Sequence, residues 1–249
     1  MLTQLQYKIL KRISPGEPDT CSGAAYAGKS KVAILLGSEF LQHIKGKTVI
    51  DFGCGDGAEA IEIAQNGAAR VFGVDIRDSL LETARQRAQA AGVQDICRFG
   101  LAAEQPADTI VSLDSFEHFS DPPEVLRVMN SLLRPGGEVI ASFGPTWYHP
   151  LGGHLFSVFP WAHIIFSEKA LIRWRSDFKT DGATAFGEVA GGLNQMTIGR
   201  FEEVVAASPF KIDQLDLVPI RKLKPLHNRA TREFTTALIR CRLTRKATP

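Results

Sequence analysis

Three glycines at alternate positions, Gly53, Gly55 and Gly57, sit in the stretch VIDFGCGDGAEAIEIA between an apolar run and a helical pattern. Glycines there let the backbone turn tightly and approach a ligand without a Cβ in the way. Asp75 follows Gly57 by 18 residues and closes the next apolar run. A carboxylate at that place can bridge two ribose hydroxyls. The spacing predicts a nucleoside site at the carboxyl ends of a parallel sheet. The glycines alone do not choose the nucleoside, because Gly53-x-Gly55-x-x-Ala58 also satisfies the dinucleotide fingerprint. Asp51 does favour one. A carboxylate two residues before the first glycine would repel a pyrophosphate and attract a sulfonium or ammonium group. S-adenosylmethionine offers both a ribose for Asp75 and a cationic amino-acid end for Asp51.

Such a site needs a sheet to carry it. From Lys47 to Phe143 short β-rich runs alternate with helical patterns, which predicts an α/β fold on a parallel sheet. Strands are expected at 47–52, 70–75, 96–100, 108–113 and 134–143. Helices are expected at 57–66, 78–91 and 121–133, the last opening on Asp121-Pro122-Pro123 as an N-cap and first turn. A helical stretch over 30–44 precedes them. Further on, 197–208 reads as an amphipathic helix with Phe201, Val204, Val205 and Ser208 on one stripe. FKIDQLDLVPI and EFTTALIRCRL alternate as a terminal antiparallel strand pair.

Over 47–143 the sequence resembles the class I S-adenosylmethionine-dependent methyltransferases of the broad type 11 group. The resemblance rests on Asp51-Phe52-Gly53-Cys54-Gly55-Asp56-Gly57, Val74-Asp75-Ile76, Ser112-Leu113-Asp114-Ser115-Phe116-Glu117-His118 and Leu133-Arg134-Pro135-Gly136-Gly137. It implies a Rossmann-like, mostly parallel seven-stranded sheet in the order 3-2-1-4-5-7-6, its last strand antiparallel. It also implies that Ile76 packs on the adenine and that Leu101 and Ala102 line the other edge. The cofactor-binding set is then Asp51, Gly53, Cys54, Gly55, Gly57, Asp75, Ile76, Leu101, Ala102 and Asp114. The group Asp114-x-x-Glu117-His118 resembles the acidic-acidic-His cluster of ubiquinone-type O-methyltransferases, which is associated with a divalent cation. Hard oxygen ligands with one imidazole suit Mg²⁺ or Zn²⁺ only in part, so no metal is expected and the pair Glu117-His118 reads as a strand–helix turn.

The remaining stretch, 144–196, holds all three tryptophans, nine of the 21 aromatics and three of the six histidines. Following the fifth strand, it can cover the face where the methyl group points. It reads as a lid that selects a small-molecule acceptor, aromatic or lipid-like, methylated at oxygen or nitrogen. Histidine titrates near neutral pH, so His154 is the leading candidate for a proton-accepting base and His149 the second. Pro150-Leu-Gly152-Gly153 between them allows a turn that brings both imidazoles inward. The competing expectation is a small accessory core of Phe156, Phe159, Trp161 and Phe166.

Composition narrows the alternatives. With 249 residues, 44% hydrophobic and 22% charged, the chain is neither disordered nor collagenous. It is expected to form one methyltransferase domain: helical 1–44, a cofactor-binding half 45–143, the insert, and a closing helix and strand pair 197–249. Cysteines at 21, 54, 97 and 241 form no metal-binding pair and read as reduced thiols of a cytoplasmic protein without a leader. Residues 220–249 carry nine Lys/Arg and one acid, leaving a net −6 on 1–219. That basic stretch reads as a solvated sheet edge rather than a nucleic-acid surface, since only Phe234 offers stacking. A membrane surface is a further reading of LFSVFPWAHIIF with Lys169, Arg173 and Arg175. A short-chain NAD(P)-dependent dehydrogenase would need Tyr-x-x-x-Lys downstream of the glycines. The only such pair, Tyr7 and Lys11, lies upstream.

Overall fold

The structure, a computed structural model, describes residues 1–16, 29–189 and 191–247. Helices α1 (Leu2–Ile13), α2 (Lys31–Leu36) and α3 (Ser38–His43) come first. Then β1 (Thr48–Phe52), α4 (Ala58–Gln65), β2 (Arg70–Val74), α5 (Asp78–Ala90), β3 (Cys97–Gly100), β4 (Ala107–Leu113), α6 (Pro122–Leu132) and β5 (Leu133–Phe143) alternate. The insert contributes α7 (Ala162–Ile165) and α8 (Glu168–Arg175). The chain closes with α9 (Ile198–Ala207), β6 (Phe210–Pro219), α10 (Arg232–Thr235) and β7 (Thr236–Arg245).

The seven strands form one sheet in the order β3-β2-β1-β4-β5-β7-β6, parallel except for β7, which runs antiparallel to both neighbours. Successive strand side chains point to opposite faces, so Val49 and Ile50 lie in different cores. One core takes Val32, Leu35, Ile63 and Leu81 from the helices α2, α4 and α5. The other takes Leu126, Met129, Phe201 and Val205 from α6 and α9. Burial on both faces explains why β1 and β4 read as near-continuous apolar runs. Asp121 caps α6 by accepting the Glu124 N–H at 3.0 Å. A third core joins Tyr7 and Leu10 of α1 to Phe156, Leu171, Trp174 and Phe186 of the insert.

The helical stretch expected over 30–44 is present as two short helices that meet at Gly37. The basic C-terminal stretch is solvated only in part: Arg221, Lys222, Lys224 and Arg229 are exposed, but β7 is an interior strand and β6 is the edge. The charges on and beside β7 serve the fold. Arg242 pairs with Asp213 at 2.7 Å, Arg232 with Glu202, and Arg245 donates to the carbonyls of Leu133 (2.7 Å) and Arg134 (2.8 Å) just past α6. A cation there opposes the negative end of the helix dipole. Among the described residues no helix is long and apolar enough to cross a membrane. Cys54, Cys97 and Cys241 are buried free thiols, and Cys21 lies outside the described residues.

Candidate active site

The parallel strands β1, β2 and β4 end together and present the Gly53–Gly57 turn, Asp75 and Asp114 at one rim. Gly53 and Cys54 donate their backbone N–H groups to the Val74 carbonyl at 2.8 and 3.0 Å, which ties the glycine turn to the end of β2. The glycines do different jobs. A Cβ on Gly57 would lie 2.7 Å from Ala84 and Phe99, so its absence serves the packing of α4 on α5 and β3. A Cβ on Gly55 would meet only the Arg77 guanidinium at 4.0 Å, so this is the position that leaves room for a ligand.

The Asp75 carboxylate is heavily engaged. Oδ2 accepts from the Gly55 N–H and Arg77 Nη2, both at 2.9 Å. Oδ1 accepts from the Arg77 backbone N–H at 3.0 Å and Nε at 2.9 Å. Burial pushes this carboxyl up, but the hydrogen bonds from Arg77 and Gly55 outweigh it and hold it below the usual range. Asp51 goes the other way. Burial, the nearby Glu59 and Asp75 push it up to about 8 against the opposing pull of Lys31, and its Oδ2 is buried without a partner. Lys31, at the start of α2, lies 3.1 Å from Asp114 and 3.6 Å from Glu59. Those carboxylates outweigh its burial and raise its ammonium pKa.

These residues suit S-adenosylmethionine. The orphaned acid at Asp51 can take a cationic amino group. Two apolar side chains are left exposed beside Asp75: Ile76, the next residue, at 91%, and Leu101, which follows the Gly100 paired with Val74, at 63%, as contact with an aromatic base would require. Cys54 is a correction. Its thiol is buried in the core and pushed up by desolvation, so only its backbone faces the turn.

Across the rim, β4 runs into a tight 3-10 turn at Phe116–His118 after Asp114, whose φ is +48°. Glu117 is buried; its Oε1 accepts the Gly144 N–H at 3.4 Å and its Oε2 has no partner. Burial and the neighbouring Asp114 push its carboxyl up to about 8. His118 Nδ1 donates to the Gly192 carbonyl at 2.7 Å. Asn194 Nδ2 holds the carbonyls of Phe116 and Phe119 at 2.7 and 2.9 Å, so the end of the insert clamps this turn. His154 adopts φ +52° and brings its ring to 5.2 Å from that of His118.

Residues 43–148 match a family described as "Methyltransferase domain". They are a class I S-adenosylmethionine-dependent methyltransferase domain. The chain is 37% identical over 105 residues to the ubiquinone biosynthesis O-methyltransferase of Pseudomonas paraeruginosa, covering 40% of this chain and 45% of that protein. It is 36% identical over 102 residues to the ribosomal protein L11 methyltransferase of Photobacterium profundum, covering 41% and 35%. The matched segment thus spans less than half of either relative's length. Among solved structures, the geranyl diphosphate C-methyltransferase of Streptomyces coelicolor shares the fold, with a TM-score of 0.55 at 15% identity, covering 84% of this chain and 78% of that one.

The methyltransferase rim gathers Asp51, Gly55, Asp75, Ile76, Leu101 and Asp114, and the insert adds His154 opposite Glu117 and His118. The two insert histidines do not both turn inward as expected. His149 Nδ1 accepts the Leu151 N–H at 2.9 Å and holds its own turn. His163 has both ring nitrogens engaged, with the Trp147 carbonyl at 2.7 Å and Ser157 Oγ at 3.0 Å. Burial lowers both His154 and His149 to about 4, where the sequence reading expected no large shift. The insert is also an accessory core: Phe156 packs on Phe186 at 4.7 Å and Phe159 on Phe166 at 6.0 Å. Tyr7 and Lys11 meet at Asp177 on the α1–α8 seam, where no cofactor turn lies. Arg77 and Lys31 escaped the sequence reading. Arg77 left a trace, its place two residues after Asp75, but nothing local marks Lys31.

Proposed function

We propose that the chain transfers a methyl group from S-adenosylmethionine to an oxygen or nitrogen of a small-molecule acceptor held under the 144–196 insert. The reading is carried by one juxtaposition: Lys31 and Asp114 link the rim at Asp51 to Glu117 of the turn after β4, and His154 of the insert closes on Glu117 and His118. When bound, S-adenosylmethionine supplies an electrophilic methyl on a cationic sulfonium. The chain's own residues hold the parts. Asp75 takes the ribose, Asp51 the amino end, and Ile76 with Leu101 the base. The insert, clamped by Asn194 and by the Trp147 N–H on the Met196 carbonyl at 2.7 Å, excludes water and orients the acceptor. Holding two reactants in line removes much of the barrier without a covalent enzyme intermediate. His154 stays unprotonated at neutral pH, so its lone pair is available, although its low basicity limits how well it takes a proton alone.

The small acceptor is supported by the aromatic-rich insert and by the likeness to a ubiquinone O-methyltransferase; the likeness to a ribosomal protein methyltransferase keeps a protein acceptor as the rival outcome. Calorimetric titration should give saturable binding of S-adenosylmethionine and S-adenosylhomocysteine and none of NADH or NADPH. A metabolite screen should then return a product heavier by one methyl. Preferential nicotinamide binding would overturn the reading. Methylation of protein alone would replace its acceptor half.

A further inference from the structure

The geometry points to a binding site for one divalent transition-metal ion, of the zinc, manganese or iron(II) kind, made by Glu117, His118 and His154. One ligand atom from each lies within 4.8 Å of the other two. Around an ion with ligands at about 2.0–2.2 Å, tetrahedral neighbours sit about 3.4 Å apart, so the side chains need to draw in by roughly 1 Å. Each member offers an unshared pair. The Gly192 carbonyl can only accept, so His118 carries its proton on Nδ1 and leaves Nε2 free to ligate. A histidine fixed through its other nitrogen by a carbonyl is the usual setting of a metal-binding imidazole. His154 Nε2 and Glu117 Oε2 are both buried with no partner at all. Buried polar atoms nearly always find one, and here two residues of the same three-residue cluster each carry an orphan.

Packing alone does not account for this. Two imidazoles meeting edge to face need no third group, yet His154 is held at a φ of +52°, strained for a residue with a Cβ, to reach the turn after β4. The second imidazole also changes the chemistry that the sequence suggested. Asp114 lies against Lys31 and is outside the set, so the donors are two nitrogens and one carboxylate oxygen. That set suits zinc or a non-haem iron-type ion with open positions, and not Mg²⁺ or Ca²⁺. On this proposal the turn holds an ion where the sequence reading expected none. Since His154 belongs to the insert and Glu117–His118 to the methyltransferase domain, the ion would pin the insert over the rim. Its open positions would take an acceptor oxygen and lower that oxygen's pKa; this last role rests on the proposed methyl transfer, whereas metal binding itself does not.

The test uses the full chain, stripped with EDTA and titrated with Co²⁺ alone. Visible absorption should saturate at one Co²⁺ per chain, and Zn²⁺ should abolish the signal by displacement. His154→Ala and His118→Ala should each weaken Co²⁺ at least tenfold, while calorimetric binding of S-adenosylhomocysteine persists. X-ray absorption of the wild-type Zn²⁺ complex should find two imidazoles in the ligand shell, which keeps the inference testable if a variant fails to fold. A titration without saturation, a shell lacking imidazole, or unchanged Co²⁺ affinity in both variants would overturn it. Loss of S-adenosylhomocysteine binding in a chain that still binds Co²⁺ stoichiometrically would instead overturn the methyltransferase reading and leave the metal site standing.

Discussion

Asp75 and Arg77 allow two substitutions in one ion pair to have opposite effects. The Asp75 carboxylate has about four lone-pair positions, and four donors fill them: Gly55 N–H, Arg77 N–H, and Nε and Nη2 of Arg77. Two ribose hydroxyls can bind only by taking two of those places. The guanidinium is the one to yield, because its side chain is 51% exposed and regains water when it leaves, whereas the Gly55 and Arg77 amides are fixed by the turn. Asp75 is itself buried, with 4% of its side chain exposed. Water on the half-exposed Arg77 side still screens the pair toward the surface range of about 0.2–1 kcal/mol, so Arg77→Ala should tighten S-adenosylhomocysteine by roughly 1.4- to 5-fold. Asp75→Asn keeps the shape and one acceptor but loses the charge. Charge-assisted hydrogen bonds contribute about 1.5–3 kcal/mol, so affinity should fall roughly 10- to 150-fold. Isothermal titration at one salt concentration measures both, with circular dichroism confirming the fold. Tenfold weaker binding by Arg77→Ala would mean that the guanidinium itself contacts the cofactor. Unchanged affinity in Asp75→Asn would place the ribose elsewhere.

Cofactor affinity should climb with pH between about 6 and 8, by up to tenfold per unit, because a cationic ligand pulls down the Asp51 pKa from about 8 and expels its proton; titrations at several pH values check this, and a slope that survives in Asp51→Asn would refute it. Folding stability has the opposite sign at the same groups. Asp51 and Glu117 hold protons in the folded chain that the unfolded chain releases near pH 4, so their contribution is lost as pH rises toward 8, and thermal melts of Glu117→Gln should fall less steeply over that range. Gly57→Ala combines a φ of +80° with a Cβ 2.7 Å from Ala84, and should destabilise by about 2–5 kcal/mol, read as a drop in Tm of roughly 4–15 °C; a shift under 2 °C would mean that α4 and α5 separate freely. His149→Ala should leave turnover within about twofold, since its Nδ1 only holds the Leu151 amide; a tenfold loss with an intact fold would restore it as a base.

The strands, the glycine turn and the place of Asp75 were legible in the sequence because each has a local cause; the strand order came only from the methyltransferase resemblance, since periodicity does not say which strands pair. Strands buried on both faces read as apolar runs, α6 as an Asp121-Pro-Pro start, α9 as an amphipathic period, and the turn as glycines at alternate positions. Composition could not reveal where charges go once folded. The basic C-terminal stretch looked solvated, yet Arg242 and Arg245 are consumed within the fold by Asp213 and by the carbonyls past α6.

The acceptor side depended on tertiary structure almost entirely. Burial, not residue type, sets His154 and His149 near 4 and lifts Asp51 and Glu117 to about 8, and burial has no local signature. Lys31 reaches Asp114 across 83 residues of chain, and His154 reaches Glu117 and His118 across 36, through loops whose length says nothing about where they land. Sequence alone determined that a nucleoside site would form at the carboxyl ends of the strands, since periodicity and backbone freedom are written residue by residue. Only the folded chain decided which histidine faces that rim and which polar atoms are left without partners, because those follow from long-range packing that brings the insert back over the sheet.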